Sequence, residues 1–274
     1  MAPAEPTAVW SLDPDDPRAP PAAVWDAMSP TERARVLATL PSDFPLSETN
    51  PPEGDFHFNA KKRTRDVLDG FFKRVGRRVY LACELPTYYP GERMFAPDVF
   101  AVLDAERHER AHWVVAEEGK GLDVAFEIVV SGNRRKDLRV NVERYERLGI
   151  AEYFVFDRAR LRLFGYRLPT NDARVYEPML AQGGRFASRV LGLDLRIQGE
   201  RLRFSVGSSP VLEADEIIES LETMVDETER RLAAAEERAE EEGRLRAEEA
   251  RLRAETERRL ADALAEFGRA PPKG

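Results

Sequence analysis

The chain has 274 residues, 42% of them hydrophobic, and a net charge of −8. That length holds one domain with appendages, or two small domains. No apolar run reaches the ~20 residues of a membrane span. The opening MAPAEPTAVWSLDPDDP is acidic and proline-rich where a secretory signal is basic and then apolar, and the single cysteine, Cys83, rules out an internal disulfide. The expected location is cytoplasmic, with no membrane association.

The charge is uneven. Residues 212–274 carry 19 acids and 11 bases, and the remaining 211 residues carry 31 of each. The body has basic clusters at Lys61, Lys62, Arg63 and Arg65, at Lys73, Arg74, Arg77 and Arg78, and at Arg134, Arg135, Lys136 and Arg139. Such clusters are either a solvated face or a phosphate-binding surface, and both readings stand.

Residues 1–28, rich in Pro, Ala and Asp, predict a loose arm. Ser29-Pro30-Thr31-Glu32 has the form of a helix start, with Ser29 as cap and Pro30 at the first helical position. That helix stops near Leu40, before Pro41, and PLSETNPPEGD reads as a loop. From Asn59 to Val75 the spacing of Val67, Leu68, Phe71, Phe72 and Val75 predicts an amphipathic helix, ended by Gly76. RRVYLACELPTYY and PDVFAVLD are strand candidates. LDVAFEIVV is a third, and its continuous apolar character predicts burial on both faces. Asp137 to Leu148 is helical, with Gly149 as its stop. AEYFVFD and LRLFGYRL are two further strands, joined by a tight turn around Arg158-Ala159. VLGLDLRIQGERLRFSV alternates as a hairpin with Gln198-Gly199 at its turn. Two strands flanking a helix over 125–157 predict a crossover unit, so the middle of the chain is an α/β sheet domain.

The tail differs in kind. Between residues 229 and 259, 26 of 31 residues are Ala, Glu or Arg. No proline interrupts the stretch from Val211 to Ala270. The expectation is a long helix of roughly 80 Å. Leu221, Val225, Thr228, Leu232, Ala235 and Ala239 keep a coiled-coil spacing. Leu245, Leu252 and Leu260 then follow an offset frame, with Gly243 at the break. A solitary helix held by Glu–Arg pairs is the plainer alternative.

Two acids stand in apolar strand contexts: Asp98 in APDVFAV and Glu127 in AFEIVV. Burying a carboxylate is costly unless it is paired or bound to a metal. One acid on each of two adjacent strands would set both carboxylates around a shared divalent cation, able to activate water and neutralise phosphate charge. A capping aspartate at a strand start and a salt bridge at a strand end are the competing explanations. His57 either lines such a site or caps the surface. His108 and His112 are four apart but lack a third zinc ligand. Cys83 has no nucleophile's companions and reads as a core residue, and Trp113 and Tyr145 read as packing rather than base-stacking residues.

The segments PDVF, FEIVVSGNRRKDL, YERLGIAEYFVFD and VLGLDLRIQGERLRF resemble the Uma2 family, within the PD-(D/E)XK nuclease superfamily. The resemblance spans about Asn59 to Arg203. It implies a restriction-endonuclease-like α/β core, with Asp98 and Glu127 as catalytic metal ligands. It also implies Mg²⁺ or Mn²⁺ as cofactor and DNA as partner. Ser131, Asp137 and Tyr145 match the family pattern. The superfamily's usual lysine is absent: Val129 stands two residues after Glu127. Many Uma2 sequences carry the lysine four residues after an Asp, and here Asn141 occupies that place. Arg135, Lys136, Arg139 or Arg144 are the cations nearby in sequence, and His57, Asp137 and Tyr145 are further supporting candidates.

The expected organisation is a Pro-rich arm with one short helix (1–55), a Uma2-like nuclease domain (56–211), a C-terminal helix or coiled coil (212–268) and a disordered end (269–274). The expected function is Mg²⁺-dependent hydrolysis of DNA phosphodiesters. The alternative is a catalytically impaired nuclease fold acting in nucleic-acid or protein binding. Homo-oligomerisation through the core or the C-terminal helix is expected under either reading.

Overall fold

The computed structural model describes residues 10–43, 54–130 and 134–267. The chain divides into two units, Met1–Ala214 and Asp215–Gly274.

Helices α1 (Ala22–Ala27) and α2 (Pro30–Thr39) come first. Ser29 caps α2 as its sequence predicts. Its side-chain oxygen accepts from Glu32 N–H, while Glu32 Oε2 accepts from Ser29 N–H at 2.7 Å. The expectation of a loose arm over 1–28 fails for its described part, and two helices stand where one was expected. Trp25 and Ala19 are buried with Tyr88, Met94 and Val114. This apolar cluster, together with the hydrogen bonds of the two helices, offsets the entropy of ordering the segment. Most of the PLSETNPPEGD loop lies outside the described residues, as do Ser131 and the expected disordered end.

Helix α3 (Asp55–Arg74) lays Val67, Leu68 and Phe72 on the sheet. RRVYLACELPTYY forms two strands rather than one, β1 (Val79–Ala82) and β2 (Thr87–Tyr88). The chain breaks at Glu84, whose φ of 48° leaves the extended region. Next come β3 (Val99–Leu103), β4 (Trp113–Val114), the one-turn helix α4 (Val115–Glu118) and β5 (Val124–Val129). A π-turn over Lys136–Val140 leads into α5 (Asn141–Leu148). Gly149 ends α5 at φ 78°, a conformation that strains residues with a Cβ. The body closes with β6 (Glu152–Asp157), β7 (Arg162–Arg167), β8 (Glu177–Pro178), β9 (Phe186–Ser188), β10 (Leu193–Gln198), β11 (Arg201–Val206) and β12 (Ser209–Pro210).

The main sheet has the order β1-β3-β5-β6-β7-β8. β5 and β6 are parallel, joined by the α5 crossover, and the other pairs are antiparallel. A second sheet runs β12-β11-β10-β9, and β2 pairs with β4. The second sheet and α3 cover one face of the main sheet through Phe72, Phe126, Phe154, Leu195 and Phe204. Tyr145 of α5 packs on the other face with Phe100, Ala125, Val129 and Tyr153. Both faces of β5 are therefore buried, as its apolar run predicts.

In the second unit, α6 (Ala214–Phe267) continues through Gly243 without a break. Among the described residues, i,i+4 pairs lace it at Glu227–Arg231, Glu242–Arg246, Glu249–Arg253 and Glu255–Arg259. Exposed pairs of this kind contribute a few tenths of a kcal/mol each. They keep a polar helix helical without fixing a partner.

Glu152 fastens the two sheets of the body. It is fully buried in β6 and accepts from Arg167 Nε at 2.8 Å, from the Arg189 N–H at 2.9 Å and from the Ser188 hydroxyl of β9. Glu152→Ala leaves a partly buried guanidinium and the Arg189 N–H without their acceptor, so the expected loss is ~2–4 kcal/mol in urea unfolding. A loss below ~1 kcal/mol places this group among ordinary surface pairs.

Candidate metal centre

The register of β3 against β5 pairs Val99 with Phe126 and Phe100 with Ala125. Extended by one pair, it sets Asp98 opposite Glu127. Directly opposed residues of an antiparallel pair share a face, so the two carboxylates are neighbours. Pro97 has no N–H to give a ladder, and the strand begins just after it. Asp98 is 13% exposed, and its Oδ2 accepts from the Ile128 N–H at 2.6 Å and from His57 Nε2–H at 3.0 Å. His57 reaches it from the first turn of α3.

Glu127 faces α5. Its side chain is almost wholly buried, and Oε1 accepts from Tyr145 Oη–H at 2.8 Å and from Asn141 Nδ2–H at 3.1 Å. Asn141 Nδ2 also reaches Asp137 Oδ1 at 3.3 Å, so one amide ties two acids together. The π-turn makes this possible. The Asn141 N–H bonds the Lys136 carbonyl, five residues back, and the extra residue re-aims the helix toward Glu127. Tyr153 holds the turn by donating to the Asp137 carbonyl oxygen at 2.8 Å.

Three acids thus crowd one buried corner. Burial pushes the Glu127 carboxyl well above the usual carboxylate range, and the charges of Asp98 and Asp137 push it further. Burial also pushes Asp137 up to about 6, against the pull of Lys136 and His57. Burial raises Tyr145 and Tyr153 far above the ordinary phenol value, which keeps both as donors.

Lys136 is the cation that bears on both Glu127 and Asp137. Arg139 instead pairs with Glu143 at 3.3 Å in solvent. Arg144 lies 3.9 Å from Glu92, with its guanidinium over the Phe95 ring.

Sequence reasoning missed Glu84 and Lys61. Among the described residues, His57, Glu84 and Asp98 form a group whose ligand-type atoms all lie within 4.8 Å of one another. Glu84 sits at the left-handed break after β1, and its Oε1 is 2.6 Å from Nζ of the buried Lys61. The run RRVYLACELPTYY gives no sign of this acid, beyond a proline two residues later. Asp98 is therefore shared between a deep acid set and an outer, partly exposed one.

Comparison with known proteins decides the family. The model of the Uma2 family, described as "Putative restriction endonuclease", matches residues 47–198, over half of the chain. The chain belongs to the Uma2 family. The matched span contains every residue of both acid sets. A solved structure from Anabaena variabilis ATCC 29413, described as "a putative nuclease belonging to DUF820", is 14% identical. The likeness covers 52% of this chain and 77% of that one, with a TM-score of 0.41. No curated protein matches the chain.

The raised carboxyls of this Uma2 chain set a pH dependence. A carboxyl raised in the folded state contributes stability at low pH and loses it as pH rises through its folded value. In metal-free buffer the loss runs from the ordinary carboxylate range through about 6 for Asp137 and higher for Glu127. Glu127→Gln removes the buried charge and keeps an acceptor for Tyr145. Its melting temperature should exceed the wild type's at about pH 7.5, and the gap should shrink at about pH 4.5. Equal gaps at both pH values contradict a strained cluster.

Proposed function

We propose that this chain is a metal-dependent endonuclease hydrolysing DNA phosphodiester bonds, with Asp98 and Glu127 as ligands to Mg²⁺ or Mn²⁺. Residues 56–211 form the nuclease domain and 212–268 an oligomerising helix. The observation that carries this reading is Glu127, 4% exposed and opposite Asp98, with Asp137 tied to it through Asn141. Ionising all three carboxyls there would set like charges against one another, and a divalent cation relieves that repulsion. The donor chemistry fits: carboxylate oxygens with one imidazole suit Mg²⁺ or Mn²⁺ better than a thiolate-seeking metal. Glu84 is the weaker ligand, because Lys61 already neutralises it at 2.6 Å and its side chain is 50% exposed.

Bound there, the cation would supply an activated water and neutralise phosphate charge. The chain's own residues do the positioning. Tyr145 and Asn141 hold Glu127, and His57 with the Ile128 N–H holds Asp98. Lys136 is the cation available to oppose negative charge developing on the phosphate. Asn141 brings no charge to the place where the resemblance expects lysine. That substitution favours a second reading, a nuclease fold that binds nucleic acid without cutting it.

Plasmid cleavage with Mg²⁺ and Mn²⁺ separates the two. Cleavage should need the metal and vanish in Asp98→Ala and Glu127→Ala. Lys136→Ala should lower turnover ~100- to 1000-fold with DNA affinity little changed, and adding Asn141→Lys should restore part of it. If wild type and the lysine variant are both inert with either metal, the binding-module reading stands.

A further inference from the structure

His57 stands between two aromatic neighbours in the first turn of α3. Phe56 is 62% exposed and Phe58 is 53% exposed, although large apolar side chains in this body are otherwise mostly buried. Residues two apart on a helix point to nearly opposite sides, and here they line different clefts. Phe56 borders one of about 260 Å³ with Arg63, Arg158 and Arg201. Phe58 borders one of about 670 Å³ with Lys61, Lys62, Tyr80 and Arg110, and this cleft reaches Glu84 beside Asp98. The Arg158 guanidinium lies over the Phe56 ring, 4.5 Å from its centroid, so one aromatic face already forms a flat, cationic stack.

Charge decides what such clefts hold. The smaller has three cations against two acids, and the larger four against three. Each nets a single positive charge. Duplex affinity comes largely from many phosphate contacts, and these clefts offer few uncompensated ones. Exposed rings with modest charge suit bases whose faces are free, because stacking tolerates any base and needs little net charge.

We infer that the site takes an unpaired nucleic-acid strand, with Phe56 and Phe58 stacking bases on either side of the nucleotide whose phosphate lies at Asp98. The inference rests on the nuclease reading for its orientation and names the substrate class. A base stacks on each ring, and the backbone between them passes His57. The clefts continue the strand's path in both directions.

The test reads binding alone, so it does not depend on cleavage. Fluorescence anisotropy is measured on full-length Glu127→Gln protein in EDTA, with fluorescein-labelled oligothymidylate, oligouridylate and a DNA duplex of equal length. Oligothymidylate should bind more tightly than duplex. Phe56→Ala and Phe58→Ala should each weaken it roughly fivefold to a hundredfold, with tryptophan at either position retaining it. Oligouridylate binding equally well assigns the site to unpaired strands of either sugar, and weaker binding assigns it to DNA. The inference is overturned if duplex binds as tightly as the single strand. It is also overturned if both alanine variants bind like the parent, or if light scattering shows that they turn a dimer into a monomer, which makes the rings an interface between copies. Plasmid cutting that survives such a result leaves the nuclease reading intact.

Discussion

One buried carboxylate organises this molecule. Glu127 occupies the middle of a strand covered on both faces, on the side turned to α5, in a face otherwise packed with apolar and aromatic side chains such as Tyr145, Tyr153 and Phe100. A charge cannot be left there unaided. The surrounding structure meets the need in layers. Tyr145 and Asn141 donate to it, the π-turn aims Asn141 at it, and Tyr153 steadies that turn. These donors reduce the cost of the charge but do not remove it. Asp98 and Asp137 stand beside it and raise its protonation further. A fold built only for stability would place a leucine here. Under the proposed function, an external positive charge balances the cluster.

The sheet serves the same end. The antiparallel approach of β3 to β5 brings Asp98 opposite Glu127, and the parallel step to β6 requires a crossover that carries Asp137, Asn141 and Tyr145 back over that face. Helix α3 contributes His57 from the opposite layer, and the break after β1 contributes Glu84. Five separate segments meet at Asp98. Convergence of this kind is the usual way a sheet fold builds chemistry, with charged groups at strand ends and helix starts and an apolar scaffold behind them.

Much of this was legible in the sequence. The uninterrupted apolar run of β5 announced its burial, and an acid inside such a run marked the site. The capping box at Ser29, the glycine stop at Gly149 and the strands over Val99–Leu103 and Glu152–Asp157 follow from local rules that tertiary packing did not override. What escaped depended on long-range contacts. Trp25 gave no local sign that it docks against Tyr88 and Met94, 63 and 69 residues away. Glu84 looked like one residue of a continuous strand, because a left-handed break needs no glycine when the surrounding chain enforces it. Nor could spacing tell which of Lys136, Arg139 and Arg144 serves the acids. A π-turn shifts every facing by one residue, and only the observed geometry shows that Arg139 pairs with Glu143 in solvent.

We propose that the acids at β3, β5 and the π-turn form a cation site rather than a structural knot. Carboxyls raised by burial and mutual repulsion must release protons when a metal binds. The direct measurement is calorimetric titration of Mn²⁺ into metal-free protein at about pH 6.5, in two buffers of different ionisation enthalpy. A cation site gives saturable binding with net proton release, both lost in Glu127→Gln. Binding that is absent, or that keeps the same affinity and proton count in Glu127→Gln, contradicts a cation site there.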